Sequence, residues 1–113
     1  MFSVRIESRN EVCWVRLTGE MDMAAVPILQ DELTALDTSP AKLLIDLSGL
    51  KFVDSSGLKY LIDLHRRHSA ADDTIELINP SDPVSKLIAL TGTEFLVTSP
   101  SESHLLPRFA GPE

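Results

Sequence analysis

Polar and apolar positions change period several times along the chain, and each change marks an element. Val4, Ile6 and Ser8 alternate with Arg5 and Glu7, a period of two that predicts a short strand. Arg9-Asn10-Glu11 is a polar turn of hairpin length, and Val12 to Thr18 forms a second strand. One face of that strand carries Val12, Trp14, Arg16 and Thr18, the other Cys13, Val15 and Leu17. Gly19 is expected to break it. Val26, Leu29, Leu33 and Leu36 then fall at helical spacing, with Asp22 placed as a cap. Pro27 is tolerable only in a first turn, so this helix starts near Ala25 or Val26 and stops at Asp37-Thr38-Ser39-Pro40.

The run Leu43 to Leu47 is apolar except for Asp46, as expected of a strand buried on both faces. A turn is predicted at Ser48-Gly49, after which Phe52 and Val53 lead into Asp54-Ser55-Ser56-Gly57. The next helix places Leu58, Leu61, Ile62 and His65 on one stripe, with Arg66, Arg67 and His68 suited to its negative C-terminal end. Thr74 to Ile78 is a further strand. Asp82 as cap, Pro83 in first position, an apolar stripe of Val84, Leu87 and Ile88, and a stop at Gly92 define the third helix. Glu94 to Val97 reads as a last short strand. Pro100, Pro107 and Pro112 punctuate the tail from Ser99 and leave room for a brief helix around Glu102 to Leu106.

The order β-β-α-β-α-β-α-β predicts an α/β fold: one domain over 1–113, with helices packed on a mainly parallel sheet that opens with a hairpin. At 113 residues the chain has no room for a second core. Its 43% hydrophobic and 24% charged residues suit a soluble fold that needs no metal or disulfide. The lone Cys13 cannot form an internal bridge, and its strand position predicts a buried, inert thiol. No apolar run reaches the roughly 18 residues of a membrane helix, and Met1-Phe2-Ser3-Val4-Arg5 is unlike a signal peptide. The expected location is the cytoplasm, without membrane insertion. A net charge of −7 argues against a nucleic-acid partner.

The chemistry of most interest lies at residues 54–57, where a strand hands over to a helix whose first amides and dipole favour negative charge. With Gly57 as first helical residue, Ser56 is the cap and accepts from the Lys59 N–H. Ser55 then projects freely outside the helix. A phosphate on Ser55 adds about 1.5–2 negative charges beside Asp54, enough to spoil an interface without unfolding the chain. Gly57 would let a partner backbone approach closely. On backbone physics alone, plain capping and turn roles are the prevailing account of such a junction.

The wider string Leu44-Ile45-Asp46-Leu47-Ser48-Gly49-Leu50-Lys51-Phe52-Val53-Asp54-Ser55-Ser56-Gly57-Leu58 resembles the core motif of the STAS family, the sulphate transporter and anti-sigma factor antagonist domains. Leu17-Thr18-Gly19-Glu20-Met21-Asp22 resembles the segment closing the second strand of these domains. Asn79-Pro80, Val84 to Gly92 and Phe95 resemble the family's third helix, which ends in a glycine before a hydrophobic strand. Together the three cover a core of about 4–98, leaving 99–113 as a short Pro-containing C-terminal segment. The resemblance implies an anti-sigma factor antagonist, a non-enzymatic partner switch without a cofactor. In such proteins the unmodified form binds an anti-sigma factor that is also a Ser/Thr kinase, freeing the sigma factor. Phosphorylation of the serine matching Ser55 ends the complex, and a Ser phosphatase restores it. By the same resemblance Asp22, Met23, Asp54, Ser56, Gly57, Leu58 and Lys59 belong to the partner-binding surface. Two departures stand out. The tail is interrupted by Pro107 where relatives carry a fuller helix, and Met23-Ala24-Ala25 is less polar than in several relatives.

Other readings compete. Ser55 as a hydrolase nucleophile lacks a Gly-x-Ser-x-Gly elbow and a nearby base, since His65 and His68 lie two to three turns away. His65 and His68 with Asp72 or Asp73 are few for a metal site, and a solvated basic helix end explains them better. Trp14 is expected to pack rather than to stack on a ligand. No Gly-rich phosphate loop is present. Within the STAS resemblance, a scaffold or switch module of another assembly, stressosome-like or lipid-transporting, remains the alternative to a sigma-factor output.

Overall fold

A computed structural model of the chain describes residues 1–9, 11–36, 42–70 and 74–97, apart from the side chains of 68–70 and 74. The elements run β1 (Phe2–Arg9), β2 (Val12–Met21), α1 (Ala25–Thr34), β3 (Lys42–Val53), α2 (Ser55–Ala70), β4 (Thr74–Ile78) and α3 (Asp82–Thr91), then a 3-10 turn at Glu94–Leu96. The strands form one sheet in the order β1-β2-β3-β4, with β1 antiparallel to β2 and the others parallel. This is the predicted α/β architecture, in which α1 and α2 each cross over between neighbouring parallel strands.

The core lies on one face of this sheet. Cys13, Val15 and Leu17 from β2, Leu43, Ile45 and Leu47 from β3, and Ile75 and Leu77 from β4 meet Ala25 and Leu29 of α1, Leu61 and Leu64 of α2, and Val84 and Ile88 of α3. Burying each such aliphatic side chain stabilises the fold by about 1.5–3 kcal/mol relative to exposure. Cys13 is buried, as expected. On the opposite face Trp14 packs with Leu44, Ile78 and Val12, so its role is packing. That face also carries the Arg16–Asp46 ion pair at 3.9 Å and the Lys42–Glu76 pair at 3.0 Å.

Several expectations about element ends are corrected. Gly19 does not end β2: it stays within the strand at φ +94°, and a Cβ there would lie 1.6 Å from the Met1 carbonyl oxygen, so the position demands glycine. Ser48-Gly49 is not a turn either, because β3 continues to Val53 through two bulges. Between the pairs Arg16↔Asp46 and Thr18↔Gly49, and again between Gly19↔Leu50 and Glu20↔Phe52, β3 carries one more residue than β2. The Asp46 carboxylate stabilises the first bulge by accepting the Ser48 N–H at 2.9 Å. Asp82 is the first residue of α3 rather than its cap; Ser81 occupies the cap position, its hydroxyl donating instead to the Leu50 carbonyl of β3. Glu94–Leu96 is a 3-10 turn, with Val97 alone bridging to Leu77, because Leu96 must turn into the core directly after the left-handed Gly92. α1 ends at Thr34 with Ala35 as its C-cap, before the expected stop at Asp37–Pro40; those residues and the helix expected at 102–106 lie outside the described residues.

Candidate functional site

The parallel strands β2 and β3 end side by side, and this places the candidate residues. Met21 and Val53 are the last register pair. One residue beyond them stand Asp22 and Asp54, and two residues beyond stand Met23 and Ser55. The ends of the two strands are joined by a hydrogen bond from the Asp54 N–H to the Met21 carbonyl at 3.1 Å. Residues far apart in sequence therefore share one edge of the molecule.

Each aspartate closes the turn that starts the next helix. Ala24, not Asp22 as expected, holds the cap position of α1; the Asp22 carboxylate accepts the Ala25 N–H at 3.1 Å from the turn before it, and Ala25 opens the helix as expected, with Pro27 in the first turn. The Asp54 carboxylate accepts the Gly57 N–H at 2.9 Å, while its carbonyl accepts the Leu58 N–H at 2.9 Å. Asp54 is thus the cap of α2, and Ser56 is not. The helix begins two residues earlier than expected, with Ser55 as its first residue and Gly57 as its third. An aspartate at this position satisfies a first-turn amide and also places negative charge at the positive end of the dipole, so it outcompetes the serine two residues on. Replacing Asp54 by Ala is expected to lower stability by about 0.5–2 kcal/mol, whereas Ser56→Ala changes it by less than about 0.5 kcal/mol. Urea unfolding of the two variants checks this, and a larger loss for Ser56→Ala would restore Ser56 as the cap.

Ser55 is exposed at the start of α2, and Asp22, Met23 and Lys59 are exposed with it. Asp54, Ser56 and Leu58 are half-buried, and Leu58 packs on the edge of the core. Gly57 is buried. A Cβ built there would meet the Met21 carbonyl oxygen at 2.5 Å, Met21 Cγ at 3.0 Å and Val53 Cγ1 at 3.1 Å. Its missing side chain serves the packing of α2 against β2, a demand that the sequence reading of Gly57 did not foresee. Lys59 donates to Asp63 at 2.8 Å, one helical turn on. That hydrogen bond is the largest cause holding the Asp63 carboxyl below its ordinary range; burial opposes it, and the charges of Lys59, Arg66 and Arg67 add smaller attractions.

Sequence reasoning missed Phe52, which is 50% exposed beside this edge. Its exposure comes from the second bulge, where Lys51 has no register partner on β2, and nothing in the local pattern signals a bulge there. His65 meets Phe95 edge to face, with ring centroids 5.9 Å apart. The side chain of His68 and residues 72 and 73 lie outside the described set; among the described residues no group of three potential ligands could hold a metal. No helix among them is long and apolar enough to cross a membrane.

Comparison with known proteins places the fold in a family. The anti-sigma-B factor antagonist of Bacillus subtilis is 24% identical over 102 residues, spanning 90% of this chain and 94% of the relative. The anti-sigma F factor antagonist of Lysinibacillus sphaericus is 27% identical over 112 residues, spanning 97% and 95%. Among solved structures, an anti-sigma factor antagonist from Mycobacterium paratuberculosis superposes with a TM-score of 0.76 at 26% identity, covering 93% of this chain and 92% of that one. The unphosphorylated form of the anti-sigma factor antagonist SpoIIAA shares the fold, with a TM-score of 0.71 at 23% identity over 90% of this chain and 93% of its own. The family model described as "Mlab, STAS domain" matches residues 4–98, and with β2, β3 and α2 arranged around Asp54-Ser55-Ser56-Gly57 as above, the chain belongs to the STAS domain family.

Proposed function

We propose that this chain is an anti-sigma factor antagonist whose unphosphorylated form binds an anti-sigma factor kinase and is switched off by phosphorylation of Ser55. The observation that carries the reading is the exposed Ser55 at the first position of α2, on the edge where Asp22 and Asp54 converge. Curated relatives of nearly equal length bear the antagonist name, which supports the same role. A phosphate there meets the positive end of the α2 dipole, so the fold tolerates it. It also adds about 1.5–2 negative charges to an edge already carrying two aspartates. The switch therefore acts on the interface. The exposed or half-buried Asp22, Met23, Asp54, Ser56, Leu58 and Lys59 form the docking surface in this reading, and Gly57 supports them from beneath. A Ser phosphatase resets the cycle, and a sigma-factor output places it in the cytoplasm.

The test is to incubate the chain with ATP and each anti-sigma factor kinase of its source bacterium, purified singly, then map phosphate by mass spectrometry and follow the complex. One kinase is expected to bind the unmodified chain and to place a single phosphate on Ser55, with loss of the complex. No binding and no phosphate with any of them would overturn the reading. The family model is named for its domain and not for a sigma-factor role, so a STAS module of a stressosome-like or lipid-transport assembly would then take its place.

A further inference from the structure

β1 is the outer strand of the sheet: among the described residues it pairs with β2 and with no strand beyond it. It runs for eight residues in unbroken register, from Phe2↔Gly19 to Arg9↔Val12, without a proline or a bulge. Exposed edges are ordinarily blunted by such interruptions, because their N–H and C=O groups can accept another strand. The Glu20 N–H donates to the Met1 carbonyl at 3.3 Å, so Met1 turns its carbonyl toward β2. Backbone groups alternate sides along an antiparallel strand, and Phe2, Val4, Ile6 and Ser8 therefore direct theirs to the open edge. The side chains of Phe2, Val4 and Ile6 pack against the core yet stay only partly buried beside that edge. Ser3, Arg5, Glu7 and Arg9 share the other face. There Arg5 stands opposite Arg16 of β2, a like-charge pair, and Glu7 accepts from Arg9 at 3.3 Å.

We propose that β1 pairs antiparallel with β1 of a second copy of this chain, about a two-fold axis at Ile6. Ile6 then faces Ile6, Val4 faces Ser8 and Arg5 faces Glu7 of the other copy. The Ile6 and Val4–Ser8 pairs exchange the outward hydrogen bonds, and the Arg5–Glu7 pair forms twice by symmetry. An acidic neighbour offsets the repulsion that Arg5 meets from Arg16. Sliding the strands by two residues sets Arg5 against Arg5 or Glu7 against Glu7. Sliding by one turns the apolar face of one copy to the wrong side of the sheet, so charge and parity select a single register. In that register Phe2, Val4 and Ile6 of both copies stay on the helix-covered face, and the core continues across the axis. β1 begins beside the end of β2, so the two copies carry their Ser55 edges at opposite ends of the joined sheet. Each edge remains open to its own partner, and the inference stands apart from the antagonist reading.

Sedimentation velocity over a concentration series compares wild type with Arg5→Glu, Glu7→Arg and an equimolar mixture of the two variants. Wild type is expected to shift from monomer to dimer mass as concentration rises to about 1 mM, where even weak pairing is populated. Each single reversal brings like charges together in both pairs and should weaken the dimer about 10-fold or more. Mixing the variants should restore dimer mass, because position 5 of one is acidic where position 7 of the other is basic, and the converse pair matches too. Ser8 is exposed and its N–H points away from β2, so Ser8→Pro removes two hydrogen bonds of the new pairing and none of the old. It should likewise weaken the dimer about 10-fold or more. If a charge reversal lowers the melting temperature, Ser8→Pro replaces it in the comparison. A wild type that stays monomeric throughout, or a dimer that neither the reversals nor Ser8→Pro weaken, overturns the proposal. Reversals that weaken the dimer without rescue on mixing overturn it as well, since Arg5 and Glu7 would then not face each other.

Discussion

Gly57→Val is expected to lower stability by about 3 kcal/mol, the upper part of the range for overpacking a filled site. For a chain of 113 residues this corresponds to a fall in melting temperature of roughly 10–15 °C. The new Cβ would stand 2.5 Å from the Met21 carbonyl oxygen, and that atom is backbone held in place by the Asp54 N–H at 3.1 Å. Neither partner can yield without unfastening the end of β2 from the start of α2. Alanine tests the balance, since its helix propensity exceeds glycine's by about 1 kcal/mol while its Cβ meets the same oxygen. Gly57→Ala should therefore remain destabilising but lose less than valine, whose γ-methyls add contacts with Val53. Circular dichroism melts of the two variants decide the matter. Melting temperatures equal to wild type, combined with loss of partner binding, would return Gly57 to the docking surface.

Ser55→Ala is expected to abolish phosphorylation and to leave the antagonist permanently bound to its kinase in the presence of ATP. Ser55 is exposed and the cap of α2 belongs to Asp54, so the alanine variant should melt within about 0.5 kcal/mol of wild type. Phosphorylating wild type should weaken the complex at least about 100-fold, because bringing like charges together across an interface costs several kcal/mol. Ser55→Asp should reproduce this only in part, with one charge against about 1.5–2 and a carboxylate in place of a phosphate. Phosphate mapping and binding measurements on both variants check it. Full phosphorylation of Ser55→Ala with none on Ser56→Ala would move the switch to Ser56.

The two aspartates illustrate what an interval along the chain can and cannot reveal. Asp22 and Asp54 each precede a helical pattern, and that placement alone marks them as turn or cap residues. Their convergence comes from the parallel pairing of β2 with β3, which α1 and its connections separate in sequence. Gly57 reads from sequence as an open approach for a partner, whereas its neighbour is the Met21 carbonyl on another element. Phe52 reads as one more apolar residue of a strand, and only the count of residues on the facing strand turns it outward.

Periods of two and 3.6, together with the apolar run at Leu43 to Leu47, determined the four strands and three helices, and their order gave the α/β class, because these patterns rest on residues close in sequence. The motif around Ser55 carried the family in the same way. Tertiary structure decided where elements begin and end: β2 passing through Gly19, β3 passing through Ser48-Gly49, Asp54 in place of Ser56 at the head of α2, and a 3-10 turn in place of a last strand. A bulge is set by mismatch in residue count between two strands, a cap by competition among adjacent polar side chains, and an obligatory glycine by backbone pressed against it from another element. None of these has a period along the chain, so each becomes fixed only when the elements meet.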